Sequence, residues 1–209
     1  MDGVLADTGQ IHFESWVNIG KEIGVEFTRE FFENWFGQQS SDIIHKLVGL
    51  EVDTVVVDEW ADRKEKYYRE MVKGKLKPLP GVIDLIKDLK IAGFKLAVGS
   101  SGPPENVELL ITTLKIKKYF DVIITAAEVK RGKPEPDVFL TAANLLKINP
   151  KNCVVIEDAP VGIEAANKAG MVAIALTTTH NRKELREANL IVSNLSNIRV
   201  NDIKHLLGI

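Results

Sequence analysis

The sequence predicts an α/β fold: a parallel sheet covered by helices on both faces, with an all-helical insert near its start. Three observations carry that expectation. From about Thr8 to Lys77 the apolar residues recur mostly at helical spacing. After Gly81, short apolar runs alternate with helix-length segments, the pattern of right-handed βαβ units. A length of 209 residues, 45% hydrophobic and 27% charged, suits one such domain plus a modest insert.

Each element has its own signal. Ile11, Trp16, Ile19 and Ile23 mark a first helix, with Gly24 as its stop. Thr28 is placed to cap a second helix through Phe31, Phe32 and Trp35, ended by Gly37. Ser41 can cap a third along Ile43, Ile44 and Leu47. A long charged helix follows from about Asp53 to Val72, with Trp60, Lys64, Tyr67 and Met71 along one side; Leu79-Pro80-Gly81 punctuates its end. Beyond Gly81, a helix carries Val82, Leu85 and Leu89 to near Gly93, and Lys95–Gly99 reads as a buried strand. Pro103-Pro104 opens a helix to Leu114. Strand Val122–Ile124, helix Asp137–Leu146, strand Val154–Ile156, helix Val161–Ala169 and strand Val172–Leu176 follow, then a short strand Leu190–Val192 and a last helix. Runs this apolar belong to strands buried on both faces.

Composition narrows the function. Lys+Arg 27 against Asp+Glu 29 gives a formal net charge of -2, which supplies no whole-chain attraction to nucleic acid or to an anionic membrane. Cys153 is the single cysteine, so no internal disulfide can form, and its apolar surroundings suggest a buried small hydrophobe. No apolar run approaches the ~20 residues of a membrane span. The N-terminus is acidic and polar, unlike a secretory signal, and the expected location is cytoplasmic.

In parallel sheets, ligands bind outside the carboxyl ends of the strands. Three such ends carry chemistry here. Glu157-Asp158 places two adjacent carboxylates at a strand end, where a hard divalent cation would relieve their repulsion; Asp158 could equally cap the next helix. Gly99-Ser100-Ser101-Gly102 offers a hydroxyl and free N–H groups at a helix start, a cradle for phosphate oxygens or a plain turn. Lys133, followed by Pro134-Glu135-Pro136, is either a positioned cation or a solvated loop lysine. At the N-terminus, Asp2-Gly3 is a turn signal just before the chain leaves for the insert.

The order of these segments resembles the haloacid dehalogenase superfamily, in the helical-cap subgroup that includes beta-phosphoglucomutase and phosphoglycolate phosphatase. That family's first motif is Asp-x-Asp-Gly-Val-x-x-Asp-Thr/Ser, which Asp2-Gly3-Val4-Leu5-Ala6-Asp7-Thr8 matches from its third position onward. Ser100 matches the second motif, and Gly132-Lys133-Pro134-Glu135-Pro136-Asp137-Val138-Phe139 the third. The run from Glu157-Asp158-Ala159 to Ala169-Gly170-Met171 matches the fourth. The resemblance spans essentially the whole chain. It implies a Rossmannoid parallel-sheet core over residues 1–7 and 79–209, with an inserted α-helical cap over 8–78.

The same resemblance implies Mg²⁺-dependent hydrolysis of a small phosphate monoester, a sugar phosphate among the candidates, through an aspartyl phosphate. By motif position, Asp2 is the general acid/base, and its carbonyl binds Mg²⁺ with Asp158 and Glu157. Ser100, with Ser101 and Gly102, binds the phosphoryl group, and Lys133 offsets its charge. The nucleophilic Asp falls immediately before Met1. The apolar strand that leads to it, central in the family's sheet, is expected upstream too; without it, neighbouring strands keep unpaired backbone groups. The cap candidates for substrate contact are His12, Gln38, Gln39, Ser40 and Lys64. Ser40 stands where the mutases carry a phosphate-gripping Arg, which favours a phosphatase over a sugar-phosphate mutase. A catalytically dead domain that binds phosphate or Mg²⁺ and regulates a partner is the alternative of another class. Dehalogenation is disfavoured, because that reaction uses no cation. The expected partner is a small phosphorylated metabolite, with no nucleic acid or membrane, and the chain is expected to be a monomer.

Overall fold

The computed structural model describes residues 1–209. Four helices come first: α1 (Gly9–Ile23), α2 (Arg29–Trp35), α3 (Ser40–Val48) and α4 (Thr54–Val72). Then come α5 (Val82–Ile91), β1 (Ala97–Gly99), α6 (Pro104–Thr113), β2 (Val122–Ile124), α7 (Asp137–Leu146) and β3 (Val154–Glu157). The chain ends with α8 (Pro160–Lys168), β4 (Val172–Leu176), β5 (Leu190–Val192) and α9 (Val200–Leu207). No helix is long and apolar enough to cross a membrane.

Every strand pairing is parallel, but the strands form two groups. β1 pairs with β2, Val98 facing Ile123. β3 pairs with β4 and β4 with β5, Ile156 facing Ile174 and Ala175 facing Ile191. Alternation within the strands feeds two cores, as a sheet buried on both faces requires. Val98, Ile174 and Leu176 pack with α5, α6 and α9 through Leu85, Ile111 and Ile203. Ile124, Val155, Ala173 and Ala175 face the other way, toward Phe139 of α7 and Ile163 of α8.

The helices α1–α4 have their own core, built on Trp16, Ile19, Phe27, Phe32, Ile43, Ile44, Val57 and Ala61. Trp16 stacks on Phe27 with ring centroids 4.9 Å apart and 5° between planes. Chain entering and leaving this layer runs side by side: Ala6 bridges Pro78, and Leu79 donates its N–H to the Leu5 carbonyl at 3.1 Å. A layer tied to the sheet by two adjacent segments can swing as a unit.

Three expectations need correction. Ser41 does not cap α3; Gln39 holds that place, and Ser40 is the first helical residue. The buried side of α4 runs through Val57, Ala61, Lys64, Glu65, Tyr68 and Val72, not Trp60, Tyr67 and Met71. The aromatic residues at 60 and 67 suggested the wrong phase, because the true seam includes charged side chains that face a cavity. Cys153 is only partly buried; it ends a turn before β3, and burial still raises its thiol pKa.

Trp16 is 1% exposed, and Trp16→Ala is expected to cost roughly 3–5 kcal/mol in urea denaturation. Leu50, 83% exposed, should lose no more than about 0.5 kcal/mol as alanine. Equal costs for the two would contradict the packing described for this layer.

Candidate active site

Three strand ends meet the first residues of the chain. Ser100 follows β1, Lys133 lies in the loop after β2, and Glu157 and Asp158 come at the end of β3. Asp2, Ser100, Ser101, Gly102, Lys133, Glu157 and Asp158 line one small cavity of about 60 Å³. The helical layer covers it with His12, Gln38, Ser40 and Lys64. The residues that sequence singled out for this site thus surround one space, except Gln39, which packs against Gly132.

The turn at Asp2-Gly3 depends on glycine. Gly3 has φ +64°, and a Cβ there would fall 1.9 Å from Oδ2 of Asp158. The backbone of the first motif therefore lies directly on the second acidic residue of the fourth. Gly162 serves a similar end in the first turn of α8, where a Cβ would fall 2.2 Å from Cδ of Glu157.

The carboxylates differ in what surrounds them. Lys133, itself 6% exposed, pairs with Oε1 of Glu157. Burial works to raise the Glu157 pKa, but Lys133, the Met1 amino terminus and the Asp158 N–H together outweigh it and lower the pKa. Asp158 has no lysine of its own. Its Oδ2 accepts from the Thr179 hydroxyl at 2.6 Å, and Oδ1 has no partner in the chain. Burial first, then the Glu157 charge, pushes its pKa up to about 7. The side chain does not cap α8, whose N-cap is Ala159.

Asp2 goes the other way. Burial would raise its pKa, yet His12, the Met1 amino terminus and the Thr8 hydroxyl together hold it well below the usual carboxylate range. Its Oδ1 accepts from Thr8 Oγ1 at 2.6 Å and Tyr68 Oη at 3.3 Å. His12 stacks on Tyr68, centroids 3.9 Å apart, and its Nε2 approaches Asp2 at 3.2 Å. Lys64 lies 3.0 Å from Nδ1 of His12, and the buried Nε2 on the Asp2 side makes no hydrogen bond.

Glu65 ties the two halves together. It accepts from Ser40 at 2.5 Å, from Lys64 at 2.9 Å and from Asn106 of α6 at 2.6 Å. Arg69 donates to the Asn106 carbonyl oxygen at 2.9 Å. His180 reaches the Glu33 carbonyl of α2 at 2.9 Å from the far side. Glu65, Tyr68, Asn106, Thr179 and His180 were not among the expected site residues. A signal existed for the last two: Thr177-Thr178-Thr179-His180 follows β4 at its carboxyl end, where the strand-end rule applies.

The lining holds four carboxylates, Asp2, Glu65, Glu157 and Asp158, against two lysines, Lys64 and Lys133. Each lysine is already paired with a glutamate. No three carboxylate, imidazole or thiol groups close on one point as an all-side-chain metal cage would. The free oxygens instead suit a hard cation that takes one or two carboxylates, a carbonyl and waters, as Mg²⁺ does.

The chain resembles known proteins along most of its length. The family model "Haloacid dehalogenase-like hydrolase" matches residues 1–176. The validoxylamine A 7'-phosphate phosphatase of Streptomyces hygroscopicus subsp. limoneus is 30% identical over 203 residues, covering 95% of this chain and 93% of that protein. The beta-phosphoglucomutase of Bacillus subtilis is 34% identical over 184 residues, 84% of this chain and 80% of that protein. Among solved structures, beta-phosphoglucomutase from Clostridium difficile superposes with a TM-score of 0.89 at 27% identity, covering 99% of this chain and 94% of that one.

Two outcomes are expected. Gly3→Ala should cost over ~1 kcal/mol more than Gly24→Ala in urea denaturation, since both have positive φ but only Gly3 has a neighbour in the way. Equal costs would contradict the close approach. Secondly, an unfolded aspartate ionises near ~3.9, so the folded chain, with Asp158 raised to about 7, holds an extra proton between those values. In metal-free buffer Asp158 therefore contributes stability at low pH that is lost as pH rises through about 7. Asp158→Asn should remove that loss; a parent-minus-variant difference that is flat with pH would contradict it.

Proposed function

The chain belongs to the haloacid dehalogenase-like hydrolases, and from that premise we propose that it is a Mg²⁺-dependent phosphatase of small phosphate monoesters, working through an aspartyl phosphate. The observation that carries this is the charge imbalance of the cavity. A phosphate dianion meeting four carboxylates and two already-paired lysines would be repelled, and a divalent cation beside Asp158 would cancel that net charge.

In this reading, Asp158, Glu157 and the Asp2 carbonyl hold Mg²⁺, whose role is to neutralise charge and orient the phosphate. Ser100 and the N–H groups of Ser101 and Gly102 hold phosphoryl oxygens. Lys133 lies over the Phe139 ring, 4.8 Å from its centroid, and offsets charge on the transferring group. The nucleophile is an Asp side chain joined through its carbonyl to Met1. It attacks phosphorus, the ester oxygen leaves, and Asp2 supplies that oxygen's proton. The incoming dianion, placed beside Asp2, raises its pKa toward the protonated form this step needs. Asp2 then takes a proton from water, which attacks the acyl phosphate and frees inorganic phosphate. The helices α1–α4 act as a lid over an otherwise wet site. We read the protein as a cytoplasmic monomer.

The likeness to beta-phosphoglucomutases supports a second reading, transfer of a phosphate within a sugar. The cavity favours hydrolysis instead. Ser40 and Lys64 both turn to Glu65, so no unpaired cation remains for a second phosphate.

With an Asp-terminated apolar segment restored before Met1, the chain should release phosphate from small sugar phosphates only with Mg²⁺ present. Asp2→Asn should lower kcat by roughly 10²–10⁴-fold. Turnover that survives this change, or sugar 1-phosphate conversion that needs a bisphosphate and releases no phosphate, would contradict hydrolysis.

A further inference from the structure

The helical layer closes the active-site cavity with a wall built on Glu65. Glu65 and Ser40 line the same space of about 60 Å³ as Ser100, Ser101 and Gly102. A space that small brings the wall close to any ligand that rests on the phosphate cradle. One side chain also joins wall and cradle directly. Asn106 of α6 is 1% exposed and donates to Oε2 of Glu65 at 2.6 Å. It packs beside Gly102, where a Cβ would fall 4.0 Å from the Asn106 Cβ.

The hydrogen bonds of this wall fix its polarity. Arg69 has donors only, and it gives one to Oδ1 of Asn106 at 2.9 Å. The amide therefore turns its NH₂ to Glu65. Ser40 gives its hydroxyl proton to Oε1 of Glu65 at 2.5 Å, so it keeps only lone pairs for a ligand. Burial works to raise the Glu65 pKa, but Lys64, His12 and the Ser40 hydroxyl together lower it below the ordinary glutamate value. At neutral pH the carboxylate accepts and cannot donate. Lys64, the lysine of the wall, is 2% exposed and held on three sides. It donates to Glu65 at 2.9 Å, lies 3.0 Å from Nδ1 of His12 and sits 4.8 Å from the centre of the Trp16 ring.

Three kinds of group could meet this wall at the end of a ligand remote from its phosphate. A carboxylate or second phosphate would face the Glu65 charge and the Ser40 lone pairs, with Lys64 already held. An ammonium would face Lys64. A hydroxyl donates to either acceptor and brings no charge.

We propose that Glu65 is a specificity-determining residue: with Ser40 it presents hydrogen-bond acceptors to the end of the substrate remote from the phosphate, selecting a hydroxylated end and rejecting an anionic one. This deepens the phosphatase reading above and rests on it for the placing of the phosphate. Asn106 and Arg69 are positioning residues that act through Glu65, the first holding Oε2 and the second fixing the amide.

The test uses the 209-residue chain in Mg²⁺ buffer with inorganic phosphate, glycerol 3-phosphate and 3-phosphoglycerate. The last two ligands differ only at the remote end, CH₂OH in one and carboxylate in the other. Dissociation constants are read from ligand-detected ³¹P line broadening. Glycerol 3-phosphate should bind at least about tenfold more tightly than 3-phosphoglycerate, because a like charge set beside a buried carboxylate is strongly disfavoured. Glu65→Gln removes the charge and frees Lys64, and it should cut that ratio by about tenfold or reverse it. A purely structural role for Glu65 would weaken both ligands together and leave the ratio in place. Equal binding of the two by the parent chain overturns the proposal, and so does a ratio unchanged in folded Glu65→Gln. If the variant does not fold, the parent ratio decides. Failure of all three ligands to bind, inorganic phosphate included, would overturn the phosphatase reading and this proposal with it.

Discussion

Two adjacent buried carboxylates sharing one lysine set the terms for the rest of this structure. Lys133 pairs with Glu157 and leaves Asp158 held only by the Thr179 hydroxyl. Burial without an opposite charge makes ionisation of Asp158 costly. The glycines around it serve that arrangement. Gly3 lets the N-terminal turn lie against Asp158, and Gly162 lets α8 begin against Glu157. A buried carboxylate pair placed this way weakens the folded state, a cost typical of functional sites.

The scaffold brings these groups together through strand direction. Parallel strands end on one side, so Ser100, Lys133 and Glu157-Asp158, distant in sequence, reach one space without long loops. The helical layer adds contacts of a different kind. Glu65 gathers Ser40, Lys64 and Asn106, and through Asn106 it bridges α4 to α6. The cavity beneath it is only about 60 Å³. The group that neutralises Lys64 thus also ties the helical layer to α6.

Much of this was legible in the sequence. The helix Asp137–Leu146 and the strands Val122–Ile124 and Val172–Leu176 lie where the apolar runs and their punctuation put them. The strand-end rule found Ser100, Lys133 and Asp158, because in a parallel sheet position along the strand fixes which end a residue occupies. What sequence obscured was the phase of α4. A helix normally buries its apolar stripe, but Lys64 and Glu65 lie on the buried side with Val57 and Val72. Charged residues facing a cavity look the same in sequence as charged residues facing water. The α3 start moved as well: Ser41, the expected cap, lies inside the helix, which begins at Ser40.

The most direct measurement is the relaxation of phosphate ³¹P by Mn²⁺ substituted for Mg²⁺, with the chain present and absent. If one cavity holds both ions against Asp158, Ser100 and Lys133, the chain adds strong broadening beyond that of the ions in water, and Asp158→Asn and Lys133→Met each abolish the excess. Excess broadening that persists in both variants would place cation and phosphate elsewhere and contradict the shared site.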